Sequence, residues 1–284
     1  LGAFLGTKEY KMKKLVLLGT GILATALLTG CGGSGGGASG SSVAEYDLSA
    51  YEERTVSQST LAGTWVIAGK GTYNYKDAVD TETTNYSVKE YFIITGDAAS
   101  GYKKTSCQNE GYLDVITVNG SEMKVNDFTG TITENRRVVG EITSSTNNDS
   151  YTESETVNLT LIKIGDSTAS FGTLSGTTPR GALNALPISC FNQTKGTFKY
   201  NSYSTSFEEF SFFDGATIEK YSGTGGFTAL SHYFYGTTTM FDTDYDGHSV
   251  SFSHTVNSSL SETLTFNAST NADSVQGTLT ITLP

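Results

Sequence analysis

Few residues in this chain are spaced to do chemistry. Asp242-Thr243-Asp244-Tyr245-Asp246-Gly247 puts three carboxylates at alternate positions, with a glycine after the last. Like charges so spaced repel one another, and a hard cation such as Ca2+ relieves them when the chain curls around it. The twelfth position of such a loop is Ser253 rather than a bidentate glutamate, and the flanks read as strands. The other reading is a hairpin tip closed by Asp246-Gly247, a pair suited to a type I′ turn. His232, His248 and His254 fall in the same hairpin. His248 and His254 share a strand face but stand roughly 20 Å apart, too far to hold one metal. Their spacing supports no Ser-His-Asp triad. Glu52-Glu53 and Glu208-Glu209 are adjacent acids. Neighbours on a strand face opposite ways, whereas glycoside hydrolysis needs two carboxyls facing one another across roughly 5–10 Å. Both pairs read as solvated surface, and no catalytic residue is assigned.

The three cysteines are Cys31, Cys107 and Cys190. Cys31 ends the run Leu28-Thr29-Gly30-Cys31, behind a basic Met12-Lys13-Lys14 and an apolar stretch from Leu15 to Leu28. That stretch is shorter than the roughly 20 residues that span a bilayer, and its layout is that of a cleavable secretion signal. The run resembles the lipobox of bacterial lipoproteins. The resemblance implies that residues 12–30 are a signal peptide, with 1–11 an upstream extension. It also implies that Cys31 is lipidated as the new N-terminus, and that acyl chains hold the protein at a membrane. Gly32, not aspartate, follows the cysteine, which by the same resemblance favours the outer membrane, facing the periplasm or the cell surface. An envelope location is oxidising, so Cys107 and Cys190 are expected to form a disulfide. Residues 31–60, opening with the Gly/Ser tract Gly32–Ser42, read as a flexible linker. Ser34 fits a Gly-x-Ser-x-Gly pattern, but a Gly/Ser tract supplies neither the strand nor the helix that a nucleophile elbow requires.

The formal net charge is −11. Loss of residues 1–30 removes Lys8, Lys11, Lys13, Lys14 and Glu9, leaving 14 basic residues against 28 acidic ones. Such a surface repels nucleic acid and anionic headgroups.

What must position any site is a β framework. Beyond residue 60 the chain is rich in Ser, Thr, Tyr, Phe and Gly, and apolar residues alternate with polar ones. Val157, Leu159 and Leu161 share one face. So do Val250, Phe252, His254 and Val256, then Leu260, Glu262, Leu264, Phe266 and Ala268, with only Glu262 polar, then Val275, Gly277, Leu279, Ile281 and Leu283. This pattern predicts an all-β fold, an antiparallel meander forming a barrel or sandwich. Only the stretch Pro179 to Pro187 suggests a short helical turn. Phe128–Thr133 parallels Phe234–Thr239, Ser154–Val157 parallels Ser261–Leu264, Asp166-Ser167 parallels Asp273-Ser274 and Gly172–Leu174 parallels Gly277–Leu279. The offset stays near 106 residues. Two related β units are expected, 61–178 and 194–284, joined by 179–193; one large barrel with pseudo-symmetric halves is the alternative.

Leu61-Ala62-Gly63-Thr64-Trp65 resembles the opening of lipocalin-like barrels, where Gly-x-Trp begins the first strand. The resemblance implies a barrel with the indole of Trp65 plugging its closed end. That family also packs a late arginine over the tryptophan, and no arginine follows Arg180. Aromatic residues crowd positions 198–252, and His232-Tyr233-Phe234-Tyr235 places rings on both faces of a strand, where a wet ring can stack on a sugar. The expected function is therefore non-enzymatic: a lipid-anchored envelope protein binding a small apolar or glycan-like ligand. A structural or protein-interaction module is the first alternative, and a hydrolase with dispersed carboxylates the second. No cofactor is expected except Ca2+ at Asp242, Asp244 and Asp246.

Overall fold

The computed structural model describes residues 43–105, 113–178, 181–201, 203–213, 216–223, 228–233, 249–256, 261–269 and 274–282, besides a two-residue ladder of Val16–Leu17 with Thr20–Gly21. The protein is all-β. Among the described residues the one helix is the single turn α1, Ser49–Glu52.

Eight strands run up and down in chain order: Gly63–Asp77 (β1), Thr81–Asp97 (β2), Gly101–Thr105 (β3), Leu113–Asn119 (β4), Glu122–Val125 (β5), Phe128–Thr133 (β6), Arg137–Asn147 (β7) and Tyr151–Gly165 (β8). β8 pairs back onto β1 and closes an antiparallel barrel. Gly172–Thr178 (β9) and Gly181–Ile188 (β10) then enter a second sheet, and Cys190–Tyr200 (β11) returns to the first. From β11 that sheet continues through Tyr203–Phe213 (β12) and Ala216–Gly223 (β13) to Thr228–Tyr233 (β14). Ser249–Val256 (β15), Ser261–Ser269 (β16) and Ser274–Thr282 (β17) complete the five-stranded second sheet, in the order β10-β9-β17-β16-β15.

β2 forks. Its end, Ile94–Asp97, pairs with β3, whereas Glu82–Phe92 pairs along the same edge with β11. The barrel is therefore closed at one end and opens at the other into a wider sheet, in which β8, β1, β2 and β11 run side by side.

Alternation decides what fills the barrel. The inward set includes Trp65, Ile67, Val88, Phe92, Ile94, Ile116, Met123, Val125, Phe128, Val138, Ile142, Val157, Leu159 and Leu161, all within one buried cluster. The stripe Val157, Leu159 and Leu161 is thus core, as the alternation predicts. An eight-stranded barrel is only wide enough for side chains to fill or for one small ligand, and here Trp65, Phe92 and Phe128 are wholly buried. In the second sheet the stripes also fall in register. Val250, Phe252 and His254 pair with Ala268, Phe266 and Leu264, and Leu264 and Ala268 pair in turn with Leu279 and Val275.

Three expectations need correction. Gly181–Ile188 is a strand and not a helical turn: it pairs with β9 and, among the described residues, forms the edge of its sheet, the place where a strand admits a proline such as Pro187. The strands carrying His232 and His254, β14 and β15, lie in different sheets and do not form one hairpin. The linker does not run free to residue 60. From Val43 onward the chain is described, and Tyr51 and Leu61 are buried. Apolar side chains in that stretch find the barrel wall, which a Gly/Ser tract could not do.

This strap seals the closed end. The Trp65 indole N–H donates to the Leu61 carbonyl at 2.7 Å. Lys163, the cross-strand partner of Trp65, is wholly buried and donates to the carbonyls of Ser57 and Thr60 at 2.9 and 3.1 Å. It also pairs with Asp166 at 2.8 Å. Arg136 and Arg137 both bind Glu52, and the Asn135 amide donates to the Gln58 carbonyl. Glu134 and Asn135 turn the chain with positive φ, which aims these groups at the strap.

Candidate functional site at the barrel mouth

At the open end, the inward face of β8, β1, β2 and β11 extends past the packed core as three rows of cross-strand partners. The outermost is Glu153, Tyr75, Glu82, Tyr200; the next is Glu155, Tyr73, Thr84, Phe198; the innermost is Val157, Gly71, Tyr86, Gly196. Glutamates and tyrosines alternate along the outermost row, and the surface is half-buried at its rim and buried at its floor. Tyr75 stacks on Tyr151 with ring centroids 5.7 Å apart, and its hydroxyl donates to Asp77. Phe198 stacks on Tyr200.

The glycines make this face possible. A Cβ on Gly71 would lie 2.2 Å from the Tyr86 ring, and one on Gly196 would lie 2.8 Å from the Phe207 ring. Without side chains there, Tyr86 lies across β1 and donates to Glu155 Oε1 at 2.7 Å. Burial pushes the Glu155 carboxyl up to about 7; the Tyr86 hydroxyl opposes that rise, and Glu153 and Asp127 add to it. Burial also raises Glu82, opposed by the Thr84 hydroxyl and reinforced by Glu153. Tyr73 and Tyr86 are both pushed above the ordinary phenol value, first by burial and then by the carboxylates around them.

A second polar group lies at the fork. Lys104 and Glu90 form a buried ion pair at 2.6 Å, both 1 % exposed. Asp114, the cross-strand partner of Lys104, is buried with them, and Asn192 is the partner of Glu90 on β11. Burial raises the Glu90 carboxyl; Lys104 and Asn192 pull it back, and Asp114 lifts it further.

Of the residues singled out in the sequence, Cys31, Cys107, Asp242, Asp244 and Asp246 lie outside the described residues. Cys190 opens β11 and is disulfide-bonded. Just beside it, Thr105 Oγ1 donates to the Ser189 carbonyl at 3.1 Å. Glu52 engages Arg137, and Glu208 accepts a bond from Gln193. Among the described residues no group of three His, Cys, Asp or Glu side chains is placed to hold a metal ion, and no helix is long and apolar enough to cross a membrane.

The sequence reading did not find Glu155, Glu82, Tyr73 or Tyr86. A signal was there, in Tyr73-x-Tyr75 and in Tyr151-x-Glu153-x-Glu155, each on one strand face. What assembles them is register between strands distant in sequence. No family model, curated protein or solved structure matches the chain.

Proposed function

We propose that the protein is a lipid-anchored envelope barrel that binds a small, glycan-like ligand at its mouth, without catalysis. The observation carrying this reading is the Tyr/Glu face above a packed interior. A ligand at the mouth meets tyrosine rings on which a sugar can stack and carboxylates that accept hydrogen bonds from its hydroxyls. With Trp65, Phe92 and Phe128 filling the barrel, the binding surface is the mouth and not a deep apolar cavity.

The test is retention of the detergent-purified full chain on a panel of immobilised oligosaccharides. Retention of the parent, lost in Y75A/Y151A, is expected; no retention of the parent overturns the reading. The anchor is tested separately, by growth of expressing bacteria on an alkyne fatty acid. Label is expected on the mature protein and absent from C31S, and an unlabelled parent removes the anchor.

One observation favours a hydrolase as the second reading. Glu155 titrates near neutrality, in the range of a general acid, and Glu153 lies two residues along the same face, roughly 7 Å away. Chain shortening of a retained oligosaccharide, abolished in E155Q, would establish it.

A further inference from the structure

The mouth face is one-sided in charge. Glu153, Glu82 and Glu155 lie on it, and Asp127 is close enough to act on Glu155. Of the lysines on the same strands, Lys163 lies at the closed end opposite Trp65, and Lys89 lies nearer the fork on the opposite face. Near the mouth, Lys70, Lys76, Lys195 and Lys199 occupy the alternate positions and so face the other way. Two of them are engaged there: Lys70 pairs with Glu45 at 3.7 Å, and Lys195 sits 4.4 Å from the Tyr46 ring. Among the described residues of β8, β1, β2 and β11, the inward positions of the three mouth rows carry no basic side chain.

We propose that the ligand of this mouth carries a positive charge, as an amine- or ammonium-bearing sugar. This rests on the reading of the mouth as a glycan-like site and adds a charge requirement to it. Glu153 and Glu82 flank Tyr75 on either side, as its direct partners on β8 and β2. Two strand spacings, roughly 10 Å, separate them, so a cation over the Tyr75 ring lies between two carboxylates. Tyrosine faces attract organic cations through the ring quadrupole, more strongly where water is partly excluded. The half-buried rim provides that condition. Burial raises the carboxyls of Glu82 and Glu155, and the crowding of negative charge raises them further, a repulsion that a bound cation relieves. A metal ion is the poorer occupant, because rings hold the ground between the acids.

The test uses isothermal titration of the detergent-purified full chain at pH 8, above the value of about 7 to which burial pushes Glu155. Three probes are compared: a tetramer of N,N,N-trimethylglucosamine, the N-acetylglucosamine tetramer of the same length, and choline. The trimethylated tetramer is expected to bind at least tenfold more tightly than the acetylated one. That preference should shrink at least tenfold in E82Q/E153Q, with the circular dichroism of the parent retained. An acetylated tetramer that binds as tightly overturns the charge requirement and leaves the glycan reading standing. Choline binding as tightly as the charged tetramer keeps the charge requirement and removes the sugar. Failure of all three overturns both.

Discussion

Tyr86 lies over Gly71 and donates its hydroxyl to Glu155, so a residue of β2 is bonded to one on β8 across the strand between them. That bond joins the packed core to the mouth, and it makes an acid with a shifted proton affinity part of the fold.

Stability should therefore depend on pH through Glu155. The folded carboxyl titrates near 7, above its ordinary value of 4.5. Below about 4.5 it is protonated in both states and contributes nothing. Between the two values the folded protein holds a proton that the unfolded chain releases, so stability falls as pH rises. Above 7 the full penalty remains. The melting temperature of the parent should fall between pH 5 and 8. E155Q, which keeps an acceptor for Tyr86, should flatten this decline and melt about 3 °C or more above the parent at pH 8. Parallel curves for the two proteins would show that the titrating group lies elsewhere.

Gly71 should tolerate no side chain while Tyr86 holds its place. A methyl 2.2 Å from the ring forces either the tyrosine or the strand to move, and overpacking of this kind costs typically 1–3 kcal/mol. G71A should lose that much in urea unfolding. In a Y86A background the same change should cost no more than about 0.5 kcal/mol, because the obstacle is gone. Equal losses in the two backgrounds would place the cost in the β1 backbone.

The all-β, antiparallel framework was legible because alternation is a local property. Val157, Leu159 and Leu161 read as core in the sequence and are core in the fold, and Trp65 begins a strand and is buried beside Leu61. The mouth was not legible. Glu155, Tyr73 and Tyr86 belong to β8, β1 and β2, and nothing within any one of those segments reveals that Tyr73 pairs with Glu155 or that Gly71 opens a path for Tyr86. The strap was missed for another reason. Composition marks Gly32–Ser42 as a tether, but the boundary depends on where Tyr51 and Leu61 first find a surface to cover.

The fork should be sensitive to which charge is removed. Lys104 faces two buried acids, its ion-pair partner Glu90 and its cross-strand neighbour Asp114. K104M leaves both without a cation, and an uncompensated buried charge costs roughly 3–5 kcal/mol. E90Q leaves Lys104 with Asp114, so its cost should stay below about 2 kcal/mol. The K104M loss should also shrink at acid pH, where the Glu90 carboxyl, raised by burial, takes up a proton. Urea unfolding at pH 7.5 and pH 5 checks both statements, and an E90Q cost as large as that of K104M would remove Asp114 as the remaining partner.

The same corner predicts the partner of Cys190. That residue is half of a disulfide, so the other half is Cys31 or Cys107. Thr105, two residues before Cys107, binds the Ser189 carbonyl beside Cys190, which brings the end of β3 to the start of β11. A lipidated Cys31 has no thiol to offer. Cys107 is the expected partner, and the bond ties the short strand β3 to the strand that replaces it along β2. The closed loop spans some 80 residues, and the chain-entropy relation gives about 4–5 kcal/mol for its closure. Non-reducing peptide mapping should recover the 107 and 190 peptides linked. C107A should unfold at lower urea than the parent, and dithiothreitol should lower the parent's midpoint toward that of C107A while leaving C107A unchanged. A Cys190 peptide joined to Cys31 would overturn this pairing and the lipidation of Cys31 together.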